Sequence, residues 1–164
     1  MGNVVVDKYR DDVQLPETLW ERINAITDQI RQRAFSLFER RGGAVGTDLN
    51  DWLEAEREVV WSPASELIEN DREYRARVAL PGFEAKDLEL TAIPHALIVQ
   101  AESSHKHDGG EGDVCFCEFS EKKLFRRLDL VSEIDVDRVA ASLDKGILEV
   151  TAQKAAQQEM KAAA

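Results

Sequence analysis

The stretch Ala141–Lys154, with the sequence ASLDKGILEVTAQK, decides the fold of this chain. Two strand-like runs flank its centre, where Gly146 can adopt the positive φ that a hairpin turn with a bulge requires. We therefore predict a β-hairpin that ends near Lys154. The residues that follow, AAQQEMKAAA, contain no Ile or Val, and we expect residues 155–164 to form a flexible tail.

Several strands with a period of two residues precede this hairpin. Apolar residues alternate with charged ones over residues 74–80 and 87–90, and residues 97–99 are apolar throughout. The dipeptide Pro81-Gly82 is typical of a tight turn, because proline fixes φ and glycine accepts a positive φ. Short strands separated by such turns predict a mainly β fold, an immunoglobulin-like antiparallel β-sandwich over residues 61–154.

A long polar segment interrupts the strands. Residues 102–113, ESSHKHDGGEGD, are rich in glycine and charge and predict a loop that is long for a simple hairpin. The next residues, 114–119 (VCFCEF), are apolar at alternate positions. We expect them to form a short strand at the end of the loop.

The first part of the chain follows a helical period instead. Residues 17–60 predict an α-helical hairpin, preceded by a flexible segment over residues 1–16. The first helix should run from about Glu17 to Arg41. Its apolar residues recur every three or four positions and form one stripe: Leu19, Ile23, Ile26, Ile30, Ala34 and Leu37.

The second helix should begin at Thr47 or Asp48. Their side chains can accept hydrogen bonds from the free N–H groups of the first turn. Trp52, Leu53 and Ala55 are then expected to face the first helix, which gives an antiparallel pair.

The composition limits the kinds of partner. Lys and Arg number 21 against 32 Asp and Glu, which gives a formal net charge of −11. Nucleic acids and anionic membranes attract basic patches, so we expect neither as a partner. No run approaches the roughly 20 apolar residues of a membrane span. The first residues lack the apolar core of a secretory signal, and we therefore expect a cytoplasmic location.

Five segments, in order, carry a resemblance to a known family. They are WSPASELIENDREY (61–74), ALPGFEAKDLEL (79–90), ALIVQAE (96–102), KLFRRLDL (123–130) and ASLDKGIL (141–148). Residues 61–154 resemble the α-crystallin domain of the small heat-shock proteins. In this resemblance, Pro81, Gly82, Gly146 and Leu148 belong to the structural motif.

The helical part carries a second resemblance. Residues 30–56, which include AFSLFERRGG (34–43) and DWLEAE (51–56), are similar to a short helical domain of unknown function found in bacterial proteins. This resemblance implies no chemistry.

The family resemblance implies a sandwich of about seven to eight strands that dimerises. It also implies an ATP-independent holdase, which binds unfolding proteins through apolar surface. In the bacterial and plant branch the long loop carries a strand that pairs with the partner's sheet, and Ala101–Lys123 looks like that element. A loop-swapped homodimer is therefore expected. Its interface would contain Val114, Cys115, Phe116, Cys117, Phe119 and Arg126.

The chain departs from the family pattern in its tail. Family members use a C-terminal I-x-I/V segment, which docks into a groove of a neighbouring dimer and builds large oligomers. Because AAQQEMKAAA lacks this motif, we expect a homodimer or a small assembly, with the groove open or filled by another segment. The residues expected beside the groove are Leu88, Leu90, Ala141 and Leu143. A second departure, Val131 in place of the usual proline, alters one turn.

Side chains that could support catalysis or bind metal are few. His95, His105 and His107 lie in or next to turns and loops, so we predict no enzyme activity and no cofactor. His105 and His107, with Cys115 and Cys117, offer a ligand set that zinc accepts. Their H-x-H and C-x-C spacings are not the usual C-x₂-C, so we predict no metal site and reduced, buried or half-buried thiols. An inter-subunit disulfide remains an alternative.

The first helix also carries a candidate client-binding surface. Phe35, Leu37 and Phe38 are apolar at helical spacing, which favours a packing face whose transient release would expose them to a client. The sequence therefore favours an ATP-independent holdase, whose partners are unfolding client proteins and a second copy of the chain. The alternative is a dimeric adaptor, in which the sandwich dimerises and the helices recruit one defined partner.

Overall fold

The computed structural model describes residues 2–11, 15–43, 45–103, 110–117 and 122–156. The chain divides into two compact units. The first unit comprises the described residues of 1–14, 64–99 and 127–164, and the second unit comprises those of 15–63 and 100–126. Among the described residues, no helix combines the length and the hydropathy that a membrane-spanning helix requires.

The described residues form nine strands in two sheets. The strands are β1 (Gly2–Asn3), β2 (Val6–Lys8), β3 (Ser65–Glu69), β4 (Glu73–Ala79), β5 (Leu88–Ile93), β6 (Ala96–Ser103), β7 (Lys122–Asp129), β8 (Ile134–Asp144) and β9 (Ile147–Lys154). One sheet has the order β1-β8-β9-β4-β3, and the other has the order β2-β5-β6-β7. The first sheet is antiparallel, whereas β2 pairs in parallel with β5. The prediction of a β-sandwich is confirmed.

The β8–β9 hairpin has a tighter turn than we expected. Only Lys145 and Gly146 separate the strands, and both have positive φ, 49° and 76°. This is a type I′ turn of two residues, so the expected bulge is wrong at this point. Gly146 also lies against the Pro81 turn: its carbonyl accepts the Leu80 N–H at 2.7 Å, and an added Cβ would lie 3.3 Å from Pro81 Cα. Glycine is required here by both conformation and contact.

The core of the sandwich follows from the alternation in the sequence. Every second residue of β4 and β9 is buried: Tyr74, Ala76 and Val78, and Leu148, Val150 and Ala152. Cross-strand register places Val78 opposite Leu148, so buried side chains meet in pairs. Full burial of one such Val or Leu side chain contributes about 1.5–3 kcal/mol. These pairs are therefore a major source of the stability of the sandwich.

The second unit contains the helical hairpin. Helix α1 spans Glu17–Arg40 and helix α2 spans Asp48–Val59, which confirms the predicted pair of helices. The buried residues of its core are Ile30, Leu37 and Ala55, with Ile26, Ala34, Trp52, Val59 and Val60 packed around them. Leu53 is exposed, so our expectation that it faces α1 was wrong. It lies two positions before Ala55, about half a turn away on the helix surface.

Charged side chains join the two helices. Arg41 contacts the buried carboxylate of Asp51 at 3.0 Å and the more exposed carboxylate of Glu54 at 2.6 Å, and Arg33 pairs with Glu58. The hydrogen bond between Arg33 and Glu58 lowers the pKa of this carboxyl group. Among the described residues, no side chain forms a capping hydrogen bond at the start of α2, contrary to our expectation. The hydroxyl of Thr47 instead donates to Asp51 at 3.1 Å, and so helps to satisfy the buried acid.

Candidate binding groove and dimer surfaces

A groove in the first unit lies between β5 and β8. These strands contribute Leu88, Leu90 and Leu143, which are buried, and Ala141, which is half-buried. Within the described sheets, β5 has β6 as one neighbour and β8 has β9. The other edge of each strand offers backbone N–H and C=O groups that an added strand can pair with, whatever its side chains.

The first residues of the chain fill this groove. We expected residues 1–16 to be flexible, but β1 pairs antiparallel with β8, and β2 pairs parallel with β5. Val6 lies opposite Leu90, and the Val4 N–H donates to the Ala141 carbonyl at 3.1 Å. One segment therefore adds an edge strand to each sheet. From the sequence we expected the groove to be either open or filled by another segment. In the structure the groove is filled, and the segment is Gly2–Lys8.

Three successive valines determine how this segment is seated. Val4 is 6% exposed, whereas Val5 is 75% exposed and Val6 is half-buried, as the alternation of an extended strand requires. Gly2 packs closely, since an added Cβ would lie 2.8 Å from the Cβ of Ala85. The groove thus accepts the branched apolar side chains of Val4 and Val6. It also accepts a glycine, Gly2, two positions before Val4.

Polar contacts hold the other end of the segment. The Tyr9 N–H donates to the Ala92 carbonyl at 3.0 Å, and Lys8 Nζ donates to the Asp137 carbonyl at 3.1 Å. Arg10 pairs with the Asp137 carboxylate at 2.8 Å. Because both members of this ion pair are largely exposed, it adds little stability, and backbone pairing and the burial of Val4 are the main contributions.

Our reading of the sequence missed this segment. The available signal was the run of three valines after Asn3, since β-branched residues favour strands. Strands of two or three residues are not stable alone, however, and become ordered only where the rest of the fold supplies a sheet edge.

A second candidate surface is the outer edge of β3. In the described part of the chain β3 is the last strand of its sheet, with β4 as its neighbour. Leu67 and Ile68 are both exposed. Such an edge accepts a strand from another chain.

A network of polar side chains lies at one end of β3. The Tyr74 hydroxyl accepts the Ser132 N–H at 2.9 Å and donates to Glu69 at 3.0 Å, and Lys154 donates to Glu69 at 2.6 Å. The bond from Lys154, followed by that from Tyr74, lowers the pKa of Glu69. The bond to Glu69 raises the pKa of Lys154. The network therefore ties β3, β4 and β9 together.

The loop residues expected at the dimer interface are exposed in the single chain. Val114, Cys115, Phe116 and Cys117 are all exposed, with Phe116 at 77%. Of the strand expected over residues 114–119, residues 114–117 are not in a strand, and residues 118 and 119 lie outside the described residues. Among the described residues neither thiol forms a disulfide and both are exposed, so our expectation of buried or half-buried cysteines was wrong for the single chain. Within the described residues, this segment is not paired with any strand of its own chain.

The remaining candidate site residues are Phe119 and the three histidines. Phe119, His105 and His107 lie outside the described residues. His95 is exposed, and its carbonyl accepts the Leu130 N–H at 2.8 Å. Among the residues that the structure describes, no group of three or more His, Cys, Asp or Glu could hold a metal ion.

The two arginines of β7 differ in their surroundings. Arg127 is exposed and pairs with Asp129 at 2.7 Å. Arg126 is half-buried, and its Nε is buried without a hydrogen-bond partner among the described residues. Adjacent residues of a strand point to opposite faces, which accounts for this difference. A buried, unsatisfied guanidinium nitrogen is costly, and an acceptor from another chain would relieve that cost.

The helical hairpin exposes part of the surface proposed for clients. Phe35 is 60% exposed and stacks on Phe38, with ring centroids 6.3 Å apart. Leu37, in contrast, is buried in the hairpin core. Leu37 therefore packs in the core, whereas Phe35 and Phe38 form an aromatic pair in which Phe35 is exposed and Phe38 is half-buried.

Comparison with known proteins matches two parts of the chain to families. Residues 66–163 match the Hsp20/alpha crystallin family, and residues 27–60 match a family described as protein of unknown function (DUF2934). The chain is 33% identical over 94 residues to the chloroplastic 26.7 kDa heat shock protein of Oryza sativa subsp. japonica. That match covers 54% of this chain and 38% of the rice protein, so the chain spans little more than a third of that relative.

A bacterial relative and a solved structure agree with this match. The probable 15 kDa heat shock protein of Leptospira interrogans is 25% identical over 99 residues, which cover 60% of this chain and 75% of that protein. The structure of heat shock protein 16.0 from Schizosaccharomyces pombe is similar with a TM-score of 0.50 and 25% identity, over 57% of this chain and 86% of that one. The family match covers more than half of the chain. The chain therefore belongs to the Hsp20/alpha crystallin family, the small heat-shock proteins.

Proposed function

We propose that this protein is an ATP-independent holdase, which binds unfolding proteins and prevents their aggregation. The observation that carries the proposal is the exposure of large apolar side chains on a chain of this family. They lie on the helices (Trp20, Phe35, Leu49), on β3 (Leu67, Ile68) and in the loop (Val114, Phe116). Full burial of one such side chain contributes about 1.5–3 kcal/mol, so a few contacts can hold an unfolding segment without a nucleotide.

The proposed holdase is a homodimer. Its interface would pair residues 110–117 of one subunit with the edge of β3 in the other. Val114 and Phe116 share one face when the loop is extended, and they would pack near the exposed Leu67 and Ile68. This pairing satisfies backbone groups of both chains and covers apolar surface. The interface would also offer a carboxylate or carbonyl acceptor to Arg126.

The proposal includes a cytoplasmic location, with no nucleic-acid or membrane partner and no catalytic activity. These points rest on the acidic net charge of −11 and on the residue patterns of the sequence.

Light scattering of two unrelated client proteins tests the proposal. One client is unfolded by heat and the other by reduction, with the full chain added at equimolar and lower ratios and without ATP. We expect suppression of aggregation for both clients. Phe35→Ser should weaken the suppression, because it removes the most exposed ring of the aromatic pair. Gln32→Ser, one turn earlier on the exposed surface of α1, is the matched control and should not.

The helical hairpin supports a second candidate function, a dimeric adaptor. It has its own core of Ile30, Leu37 and Ala55 and so can present a fixed surface to one partner. The same assay separates the two functions. Protection of neither client at any ratio contradicts the holdase and leaves the adaptor as the better account.

A further inference from the structure

Two cysteines separated by one residue lie in the loop segment proposed for the dimer interface. Cys115 and Cys117 are both exposed in the single chain, and neither is in a disulfide among the described residues. Phe116 between them is 77% exposed, so its side chain does little to hold the local backbone. The Cys115 thiol donates to the Asp113 carbonyl at 3.8 Å, which is a weak hydrogen bond. Both thiols are therefore accessible to a reagent in solution.

The reduced pair of cysteines fits an extended strand, whereas an oxidised pair does not. In a strand, residues two positions apart point to the same face, and their Cβ atoms are separated by about 6.6–6.8 Å, twice the rise per residue. A disulfide requires Cβ atoms about 3.5–4.5 Å apart. A bond between Cys115 and Cys117 would therefore close a small ring around Phe116 and bend the backbone at that residue.

We propose that Cys115 and Cys117 form a reversible disulfide within one chain, which prevents residues 110–117 from pairing as a strand and so releases the dimer. This inference rests on the proposed dimer, in which Val114 and Phe116 share one face and pack near the edge of β3 in the other subunit. A bend at Phe116 disrupts that face and the backbone pairing together. Release leaves the edge of β3 free to pair with an unfolding client.

A low-molecular-weight disulfide, such as glutathione disulfide, is the oxidant. The thiolate of one cysteine attacks this disulfide, so that a mixed disulfide forms and one glutathione thiolate leaves. The thiolate of the second cysteine then attacks the protein sulfur of the mixed disulfide, closes the ring and expels the other glutathione thiolate. The two cysteines lose two electrons, which reduce one glutathione disulfide, and their two protons pass to the two glutathione thiolates.

Ring formation and dimer formation oppose each other by linkage. If the ring weakens the dimer, formation of the dimer must disfavour the ring to the same extent. We expect the dissociation constant of the dimer to rise at least about tenfold on oxidation. Tenfold corresponds to about 1.4 kcal/mol, which the loss of one large apolar contact can supply.

Redox titration of the full chain tests the proposal. The chain is equilibrated at defined ratios of reduced and oxidised glutathione, quenched with acid, and analysed by intact mass and by mapping of the disulfide-linked peptide. In parallel samples without acid, analytical ultracentrifugation measures the dissociation constant of the dimer. We expect a ring of Cys115 and Cys117 without bound glutathione at oxidising ratios. At one fixed ratio, the fraction of ring should fall as the protein concentration rises.

Two variants are the matched controls. The double variant Cys115→Ser with Cys117→Ser keeps two small polar side chains but cannot form the ring, so its dimer should have the same dissociation constant in every buffer. Cys117→Ser alone should stop at the mixed disulfide, and so measures the effect of a glutathione adduct without a ring. An adduct that weakens the dimer as much as the ring does would contradict the proposed role of the ring.

The remaining outcomes also decide the proposal. It is overturned by covalently linked pairs of chains in place of the ring, by the absence of a ring at every glutathione ratio, or by a ring that leaves the dissociation constant unchanged. If the double variant is monomeric at every concentration, the proposed dimer is wrong, and the disulfide loses its role with it. If the double variant dimerises and the unmodified chain is insensitive to glutathione, only the disulfide proposal fails. No readout involves a client, so the holdase proposal is tested separately.

Discussion

Gly146→Ala is expected to destabilise the sandwich measurably. Gly146 has φ 76°, a left-handed conformation that costs an L-residue about 1–2 kcal/mol. The new Cβ would also lie 3.3 Å from Pro81 Cα, closer than an ordinary contact. Alanine lowers the entropy of the unfolded chain, which offsets about 0.4–1 kcal/mol. With the close contact added, we therefore expect a net loss of about 0.5–2 kcal/mol in the free energy of unfolding, or roughly 2–16 °C in Tm for a sandwich of this size.

Urea titration and scanning calorimetry of the full chain measure this loss. The matched control is Lys145→Gly, because Lys145 also has a positive φ of 49°. Glycine removes strain there but raises the entropy of the unfolded chain, so the change should be near zero or stabilising. Opposite behaviour at two adjacent positions is a specific consequence of the type I′ turn. A loss below about 0.5 kcal/mol for Gly146→Ala, or equal losses for both variants, would refute this account of the turn.

Three further predictions concern the polar contacts. Tyr74→Phe removes a hydroxyl that is hydrogen-bonded on both sides and should cost about 1–2 kcal/mol by urea unfolding; no loss would show that the network adds nothing. Asp51→Ala removes the buried partner of Arg41 and should lower the stability of the helical hairpin by about 1–3 kcal/mol in thermal melts, whereas an unchanged melt would contradict a stabilising role for this pair. The pair of Glu69 and Lys154 should stabilise over a defined pH window. A lowered pKa of Glu69 means that its contribution is present above the usual value near 4.5 and is lost as the pH falls through the lowered pKa; a raised pKa of Lys154 means that its contribution is present below 10.5 and is lost at higher pH. The stability difference between the unmodified chain and Glu69→Gln should therefore vanish in acid, and a difference independent of pH would be inconsistent with the pair.

The two helices show what helical periodicity in the sequence can predict and where it fails. The spacing of Leu19, Ile30 and Leu37 predicted α1 to within one residue at its end, because a helix buries a stripe that can be counted along the chain. The same reasoning misplaced Leu53, which followed the apolar pattern but lies on an exposed face. Hydrophobicity alone does not identify which apolar residue meets the neighbouring helix.

The dimer surfaces were predicted from the family resemblance rather than from physical spacing. The structure shows that Val114 and Phe116 are exposed and that β3 has exposed apolar residues, which is compatible with the proposed interface. In the proposed dimer a second chain would cover the cysteines, and no pattern within one sequence shows such a contact. Their exposure in the single chain is the physical reason that the expectation of buried or half-buried thiols failed.

The sequence by itself determined the sandwich, the helical hairpin and the sharp turn at Gly146. These features depend on local alternation, helical spacing and backbone freedom, all of which are visible within a few residues. Only the tertiary structure decided what fills the groove. Val4 is hydrogen-bonded to Ala141, which is far away in the sequence. The pairing of the segment depends on two sheet edges, which exist only after β5 and β8 have folded together. A run of three valines favours a strand, but the sheet edges with which that strand pairs are determined only by the folded structure.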